Sequence, residues 1–392
     1  MTQVVYLDNN ATTRVDPQVL EAMLPYFSDT YGNPSSMHSF GGGVAAHLRT
    51  AREQLAQLIG ASPEEIVFTS CGTESNSTAI HAALESHPGR RHIVTSRVEH
   101  PAIKNLAEVL SKKGYHTTFV PVDGQGRLDL DQLYDSLSDD TAVVSLMWAN
   151  NETGVIFPIE EVARRVKERG IVFHTDAVQA VGKIPIDLGR SAVDMLSLSG
   201  HKLHGPKGVG ALYVRKGTKF VPFMIGGHQE RNRRGGTENT AAIVGLGKAA
   251  ELAGRFLASG GYRGVSALRD RLEQGLLARV PHVRVNGDPE QRLPNTASVA
   301  FEYVEGEAIL LMLNEHGICA SSGSACTSGS LEPSHVLRAM GVPFTAAHGS
   351  IRFSLSRYTT EKEVDFVLEK LPPVIARLRQ LSPFWEKAEA HG

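Results

Sequence analysis

Short apolar segments alternate with amphipathic stretches through the first two thirds of the chain. The strand-like segments 64–70 and 92–96 each precede helix-like sequence, and 141–149 leads through NNETG into another helix-like stretch before 171–177. This succession indicates a mainly parallel sheet with helices on both faces. Ligands of such sheets bind at the carboxyl ends of the strands. Polar residues that follow these strands are therefore the first candidates for a functional site.

The pattern changes after about residue 260. A helix-like stretch, the strand-like ASVAFEY, a second helix, a Ser/Gly-rich loop and the strand-like SIRFSLS follow in that order. We interpret this part as a second, α+β unit. The predicted domains are a large cofactor-binding domain at 15–260 and a small domain formed by 1–14 with 261–392.

Composition narrows the class of protein. The 392 residues are 41% hydrophobic and 21% charged, which is ordinary for a globular protein, and the formal net charge is −2. This balance gives no basic field for nucleic acid or an acidic membrane. No run of about 18 apolar residues and no signal-like start occurs, so we expect a cytoplasmic protein. The odd count of three cysteines indicates free thiols rather than a disulfide framework.

The stretch LSLSGHKLHGPKG places a lysine in an unusual position. The run 194–199 suits a buried strand, and a Gly/Pro turn at 205–206 starts the next one, so Lys202 lies at a strand end inside a tight loop. Partial loss of solvent lowers the pKa of an amine there. The free amine is then available to form an imine with an aldehyde.

Other strand ends supply groups that match a phosphorylated ligand. Gly72 and Thr73 in SCGTES start a helix, where free backbone N–H groups and a hydroxyl suit a phosphate. Asp176 follows an apolar strand, where an unpaired carboxylate is costly, so a cationic partner is expected. His100, Asn151 and Gln179 lie at further strand ends. Pyridoxal phosphate carries a phosphate, a basic ring nitrogen and an aldehyde, and so fits this set.

With these motifs assembled, the chain resembles the class V aminotransferase-like family and, within it, the cysteine desulfurases. The likeness runs from YLDNNATT to RFSLSRYTT and is carried by SCGTES, MWANNETG, HTDAVQAVGK, SLSGHKLHGPKGVG and ASSGSACTSGSLEPSH, which are most similar to the nitrogen-fixation (NifS) type. The resemblance implies a homodimeric enzyme of the pyridoxal-phosphate-dependent transferase fold (aspartate aminotransferase-like). It further implies L-cysteine as substrate and an iron–sulfur scaffold protein as sulfur acceptor, with nitrogenase as the destination of the sulfur.

The resemblance also implies roles around the cofactor. Lys202 matches the Schiff-base lysine, Asp176 the partner of the pyridine nitrogen, and Gln179 the donor to the phenolic oxygen. The positions that match the phosphate side are Gly72, Thr73, Ser199, Gly200 and His201.

Four further positions carry implied roles. His100 would lie over the ring and move protons. Asn151 matches a position near cofactor and substrate carboxylate, and Arg352 matches the arginine that holds that carboxylate. Thr237 in RRGGTENT matches a residue that reaches the phosphate of the neighbouring subunit.

Cys326 lies in ASSGSACTSGS, a run of small polar residues that predicts a mobile, exposed thiol. By resemblance it takes the sulfur of L-cysteine as a persulfide, and L-alanine is released. Cys326 is also the one candidate for a metal contact, a transient iron–sulfur contact made through the persulfide. Cys319, beside an apolar pair, is expected to be buried, and Cys71 is expected only to pack.

Alternative interpretations stay open at this point. Another pyridoxal phosphate enzyme of the same fold, such as a selenocysteine lyase, a cysteine sulfinate desulfinase or an aminotransferase, shares most of these residues. A metal or iron–sulfur scaffold protein is a different class, but the chain has neither a CxxC pair nor HExxH. The basic run QERNRRGG is interpreted either as a solvated loop or as a contact between subunits that carries Thr237.

Overall fold

The computed structural model describes residues 4–322, 333–383 and 385, so the predictions made for Cys326 lie outside the described residues. The strands are β1 (Val5–Tyr6), β2 (Ile66–Thr69), β3 (His92–Ser96), β4 (His116–Val120), β5 (Thr141–Met147), β6 (Val172–Asp176), β7 (Met195–Ser199), β8 (Gly210–Val214), β9 (Val283–Val285), β10 (Thr296–Phe301), β11 (Ile318–Cys319), β12 (Ser321–Ser322) and β13 (Ser350–Ser354).

The helices are α1 (Pro17–Met23), α2 (Pro25–Ser28), α3 (Ser39–Leu58), α4 (Gly72–Ser86), α5 (Pro101–Ser111), α6 (Leu130–Asp135), α7 (Ile159–Glu168), α8 (Gln229–Asn232), α9 (Thr240–Ala258), α10 (Tyr262–Arg279), α11 (Gly306–Glu315), α12 (His335–Ala339), α13 (Phe344–His348) and α14 (Glu361–Gln380). None of the described helices is both long and apolar enough to cross a membrane.

The larger sheet of the described chain has the order β2-β8-β7-β6-β5-β3-β4. Pairing is parallel from β4 through β3, β5 and β6 to β7, and antiparallel where β8 pairs with β7 and β2. Every residue of β5, β6 and β7 is buried, as expected for parallel strands covered on both faces. The predicted mainly parallel α/β sheet is confirmed, and the antiparallel direction of β8 is an addition that hydrophobic pattern alone does not reveal.

Local sequence explains how the helices next to the site begin. Helix α5 starts with Pro101 at its first position, and Nδ1 of His100 accepts a hydrogen bond from the backbone N–H of Ala102. Helix α4 starts at Gly72 directly after β2, and its N-cap residue Cys71 makes no side-chain cap. The first N–H groups of α4 therefore point toward the carboxyl edge of the sheet without a protein side chain to accept from them.

A second, antiparallel sheet has the order β12-β13-β10-β9. Its inner face packs in a separate hydrophobic cluster with α10, α11 and α14, and Val5 and Leu7 belong to that cluster. Strand β1 pairs in parallel with β11. The amino-terminal segment then crosses to the larger sheet, where the backbone N–H of Thr13 donates to the carbonyl of His201. Residues 8–13 therefore lie between the two sheets.

Candidate active site

Lys202 lies in a one-turn 3-10 helix, Gly200–Lys202, at the end of β7. Its Nζ donates to the backbone carbonyls of Asn10 at 2.5 Å and Ala11 at 2.8 Å. Burial, followed by the positive charge of Arg352, lowers the pKa of Lys202 to about 8. About a tenth of this amine is therefore unprotonated at pH 7, far more than for an ordinary lysine, and the unprotonated amine is the state that attacks an aldehyde.

A cavity of about 190 Å³ opens beside Lys202 at the carboxyl edge of the larger sheet. It gathers most of the predicted cofactor residues, although they come from β2, β3, β5, β6 and β7 and the segments that follow them. The predicted residues that line it are Gly72, Thr73, His100, Asn151, Asp176, Gln179, Ser199, His201 and Lys202.

Asp176 ends β6 and is 5% exposed. Its Oδ2 accepts a 2.6 Å hydrogen bond from Nδ2 of Asn76, and its Oδ1 accepts from the backbone N–H of Val178 at 3.0 Å. Both protein partners are neutral donors, so the expected cationic partner of Asp176 is not a side chain among these contacts. The carboxylate lines the cavity, where a protonated ring nitrogen would supply that positive charge.

The cavity lining also offers an anion site. Ser199 is buried and its Oγ has no hydrogen-bond partner in the part of the chain that the structure describes, and the uncapped start of α4 lies beside it. At Gly72 an added Cβ would lie 2.8 Å from Cγ2 of Val178 and 3.5 Å from Cβ of Ser199, so the close approach there requires glycine. Backbone N–H groups at a helix start together with free hydroxyls form a standard phosphate cradle.

His201 also borders the cavity on this side. Its Nδ1 lies 3.1 Å from Oγ1 of Thr12. Burial and the neighbouring Lys202 and Lys207 lower the pKa of His201 to about 4. The imidazole is therefore neutral at pH 7, and it meets a phosphate as a hydrogen-bonding group rather than as a cation.

His100 lines the cavity and precedes α5. Burial is the largest influence on its pKa and lowers it, while Asp176 opposes and Lys202 adds to that effect. Immediately before it, Glu99 is 0% exposed, with Oε1 accepting from Ser96 Oγ at 2.6 Å and from the backbone N–H of Met147 at 3.0 Å. Burial raises the pKa of Glu99 to about 8, and the Asp176 carboxylate adds to the rise.

Arg352 lies beside the cavity rather than in its lining. Its Nη2 donates to Oδ1 of Asp8 at 2.8 Å, its Nη1 donates to the carbonyl of Asn151 at 3.0 Å, and its buried Nε has no partner among the described residues. Strand β13 thus supplies a cation next to Asn151, as the prediction of a carboxylate-binding pair requires. The predicted role itself stays a prediction.

Two predicted cofactor residues do not line this cavity. Gly200 packs against the turn that follows, where an added Cβ would lie 2.9 Å from the carbonyl oxygen of Pro206. Tight backbone packing is sufficient reason for glycine at that position. Thr237 is exposed and stands apart from the cavity of its own chain, which is compatible with the predicted role in a neighbouring subunit.

The basic run before Thr237 is attached to the body of the protein. Glu230 is buried and forms a two-point ion pair with Arg52, and it also accepts from the backbone N–H of Phe68. Arg234 pairs with Glu74 of α4 at 2.8 Å. A purely solvated loop is therefore the wrong interpretation of this run.

These features test whether the residues fit pyridoxal phosphate. The unpartnered Ser199 hydroxyl and the glycine-lined helix start suit a phosphate, and the Asp176 carboxylate suits a cationic ring nitrogen. Lys202, with its lowered pKa, suits the aldehyde. The donor set therefore fits the cofactor.

The family model described as Aminotransferase class-V matches residues 5–367, and the chain belongs to this family. Within it the chain belongs to the cysteine desulfurases. It is 63% identical over 381 residues to the cysteine desulfurase of Trichormus azollae and 62% identical over 382 residues to cysteine desulfurase NifS of Azotobacter vinelandii. Each alignment covers 97% of this chain and 95% of the relative. The predicted family and enzyme class are confirmed.

Solved structures agree with this assignment. A protein titled NIFS-LIKE PROTEIN matches with a TM-score of 0.90 at 42% identity, over 96% of this chain and 100% of that one. A structure titled "SspA in complex with cysteine" matches with a TM-score of 0.79 at 36% identity, over 91% of this chain and 99% of that one. The fold predicted from the strand and helix order is therefore confirmed.

Sequence reasoning missed several residues at the site. Asn76 lies on α4 one turn beyond the phosphate motif and donates to Asp176. Asn10 accepts from Gln179 and Lys202, and Lys183 donates to Gln179. Glu99 immediately precedes His100 and accepts from the backbone N–H of Met147. Only Glu99 could have been noticed from the local sequence. It is an acidic residue next to His100, in the short segment between a strand and a proline-started helix. The contacts of Asn10 connect segments more than 100 residues apart, which no local pattern displays.

Proposed function

We propose that the protein is a pyridoxal-phosphate-dependent enzyme that removes sulfur from L-cysteine, releases L-alanine and retains the sulfur as a persulfide on Cys326. The observation that carries this proposal is the convergence of Lys202, Asp176 and the phosphate cradle on one cavity. Its relatives are named cysteine desulfurases, and one similar structure holds cysteine.

The bound cofactor supplies an electron sink that lets bonds next to the substrate amine break. The protein's residues hold it in place. Asp176 keeps a proton on the ring nitrogen, because a fixed anion favours the protonated form. The N–H groups at the start of α4, with the Ser199 hydroxyl, would donate hydrogen bonds to the phosphate and offset its negative charge.

Arg352 is proposed to bind the carboxylate of L-cysteine. Its Nη1 contacts the carbonyl of Asn151, which lines the cavity, so the guanidinium lies at the cavity edge, and two of its five N–H groups are used by Asn151 and Asp8. A guanidinium binds a carboxylate through two parallel hydrogen bonds and so fixes its orientation. Asp8 already pairs with Nη2, which neutralises the buried cation when no substrate is bound.

The sulfur step needs a nucleophile and a proton. The thiolate of Cys326 bonds to the substrate sulfur as the bond from that sulfur to Cβ breaks. The electron pair of the broken bond remains on the carbon side, where a proton completes the methyl group of alanine. Lys202 and His100 both line the cavity. The pKa of Lys202, lowered to about 8, lies near neutral pH, and the lowered pKa of His100 favours the neutral imidazole, which can accept a proton.

We further propose that the enzyme is a homodimer in which Thr237 completes the phosphate site of the partner, and that an iron–sulfur scaffold protein receives the sulfur for nitrogenase. The exposure of Thr237 outside its own cavity supports the first point. The 62% identity to NifS of Azotobacter vinelandii supports the second.

The proposed activity is tested with the purified protein, pyridoxal phosphate and L-cysteine. Alanine release and a protein mass increase of one sulfur are expected in equal amounts during the first turnover. Parallel reactions contain L-selenocysteine or L-cysteine sulfinate as substrate. A rate with either compound that exceeds the rate with L-cysteine would reassign the substrate, and absence of cofactor binding would contradict the proposal as a whole.

The subunit arrangement has its own test. Lys202→Ala and Thr237→Ala variants are mixed, unfolded and refolded together. If Thr237 acts across the interface, mixed dimers contain one site with both residues intact, and activity reappears. Full activity of a monomer at high dilution would contradict the arrangement.

A further inference from the structure

Lys183 lies four residues after Gln179 in a segment of turns and contacts two side-chain amides. Its Nζ donates to Oε1 of Gln179 at 2.6 Å and to Oδ1 of Asn10 at 2.9 Å. Nothing in the sequence motif distinguishes this lysine from a solvated one. Both contacts involve residues that touch Lys202 or the cofactor cavity.

The orientation of the Asn10 amide is imposed by its surroundings. Its Nδ2 donates to the backbone carbonyl of Asn151 at 3.1 Å, and a carbonyl accepts but never donates. Its Oδ1 accepts from Nδ2 of Asn295, whose other contact is the carbonyl of Leu355. The oxygen of Asn10 must therefore face Lys183.

The orientation of Gln179 is imposed in the same way. Its Nε2 donates to the backbone carbonyl of Asn10 at 2.9 Å, and its Oε1 accepts from Lys183. An amide nitrogen carries two N–H groups, so the second one is available to the cavity that Gln179 lines. A reversed amide would bring two oxygen atoms together at Asn10 and leave Lys183 facing donors.

We propose that Lys183 is a positioning residue that holds the Gln179 amide with an N–H directed into the cofactor cavity. This inference rests on the proposed pyridoxal phosphate site, whose phenolic oxygen would accept from that N–H. Lys183 itself does not line the cavity, so it acts through Gln179.

The electrostatic surroundings of Lys183 are compatible with this role. Burial, followed by the nearby cations Lys202 and Arg352, lowers the pKa of Lys183 well below its ordinary value. A neutral amine still has two N–H groups, which match its two acceptors. Positioning by Lys183 therefore does not require a third positive charge at the site.

The test uses Lys183→Met, which keeps the length of the side chain and removes its donors, together with Gln179→Ala and the double variant. Lys167→Met, which removes a lysine paired with Asp194 outside the site, is the matched control. Three quantities are measured: the Kd of pyridoxal phosphate for the apo protein, the pH midpoint of the visible absorbance, and the melting temperature of the apo protein.

Lys183→Met and Gln179→Ala are each expected to raise the Kd by about tenfold, the scale of one lost hydrogen bond to a charged group. Because Lys183 acts through Gln179, the double variant should match the weaker-binding single variant within about twofold. The pH midpoint should move in the same direction in all three. The proposal would be overturned if the increases in Kd of the two single variants multiplied in the double variant. It would also be overturned if Lys183→Met had the Kd and the pH midpoint of the parent.

A second variant covers the case in which Lys183→Met fails to fold. Gln179→Glu retains an acceptor for Lys183 and, when its carboxyl group is protonated, one donor for the Asn10 carbonyl, but it presents no second donor to the cavity. It should therefore fold and bind the cofactor about tenfold more weakly. Parental binding by Gln179→Glu would overturn the inference. A parent protein that fails to bind pyridoxal phosphate at all would instead contradict the proposed function.

Discussion

Asn76 donates from Nδ2 to Oδ2 of Asp176 at 2.6 Å, and this bond joins the helix that starts at the phosphate cradle to the strand that ends at the ring-nitrogen site. Asn76 is 1% exposed, and its Oδ1 has no partner. Together with the N–H of Val178, it holds both carboxylate oxygens of Asp176. The orientation of the Asp176 carboxylate is therefore fixed before any ligand binds.

Asp176→Asn should keep cofactor binding and lower turnover of L-cysteine by about 100-fold or more. A neutral amide no longer favours the protonated ring nitrogen, and an adjacent anion is worth about one to three pKa units. Steady-state alanine release measures the loss. Asn76→Ala leaves the Asp176 carboxylate in place with one hydrogen-bond donor fewer, so it should lose less turnover than Asp176→Asn. An equal or greater loss of turnover in Asn76→Ala would contradict the main role assigned to Asp176.

Lys202→Ala should abolish covalent attachment of the cofactor with little change in the fold. Borohydride treatment followed by peptide mass mapping is expected to find the cofactor on the peptide of Lys202 in the parent and on no peptide in the variant. The exposed Lys207 provides the matched control, since Lys207→Ala should label like the parent. Labelling of Lys202→Ala to the parental extent would exclude Lys202 as the attachment residue.

Glu99 predicts a pH dependence of apo protein stability. Its pKa is raised to about 8, so between about pH 4.5 and 8 the folded state binds a proton that the unfolded state has lost. Its contribution to the free energy of unfolding therefore falls as pH rises through this window. Glu99→Gln should remove up to about 1.4 kcal/mol per pH unit of that downward slope.

Chemical denaturation at pH 5, 6, 7 and 8 measures this slope. Glutamine at position 99 can keep the acceptor for Ser96 and for the Met147 N–H, so the comparison isolates the ionisable proton. Lys202, whose pKa is lowered to about 8 in the fold, affects stability only above this window. There the amine is unprotonated in the folded state but protonated in the unfolded state, so its effect is to raise stability as pH rises. Equal slopes in parent and variant would mean that Glu99 is ionised in the fold.

Arg352→Lys should raise the KM for L-cysteine by about tenfold or more with nearly unchanged cofactor Kd. Lysine retains the positive charge opposite Asp8 but loses the two-point grip on a carboxylate. Arg127→Lys, which alters an arginine paired with Asp288 outside the site, serves as the control. An unchanged KM would separate Arg352 from substrate binding.

Cys326→Ala should bind cofactor and L-cysteine normally while alanine release falls to background, because no thiolate takes the sulfur. Mass spectrometry of the protein after one turnover should show no added sulfur. Cys71→Ser and Cys319→Ser should retain most of the turnover, although Cys71 borders the cavity. Parental alanine release by Cys326→Ala would mean that the sulfur leaves without this thiol.

Much of this architecture was predictable because it depends on local pattern. Buried strands such as Val172–Asp176 begin with apolar residues, and the polar residue that ends such a strand lies at the carboxyl edge of the sheet. Lys202, Asp176 and the Gly72 helix start were predicted from that rule, and the structure brings them to one cavity. The family motifs then supplied the chemistry.

Other features depend on segments that are distant along the chain. Asn10 contacts Gln179, Lys183, Lys202 and Asn295 only because the amino-terminal segment passes between the two sheets. The pKa values of Lys202 and Glu99 likewise depend on burial by several elements rather than on their neighbours in sequence. Hydrogen bonds and desolvation act over a few ångströms in space. The partners of these groups are therefore decided by tertiary packing, and a local sequence pattern does not contain them.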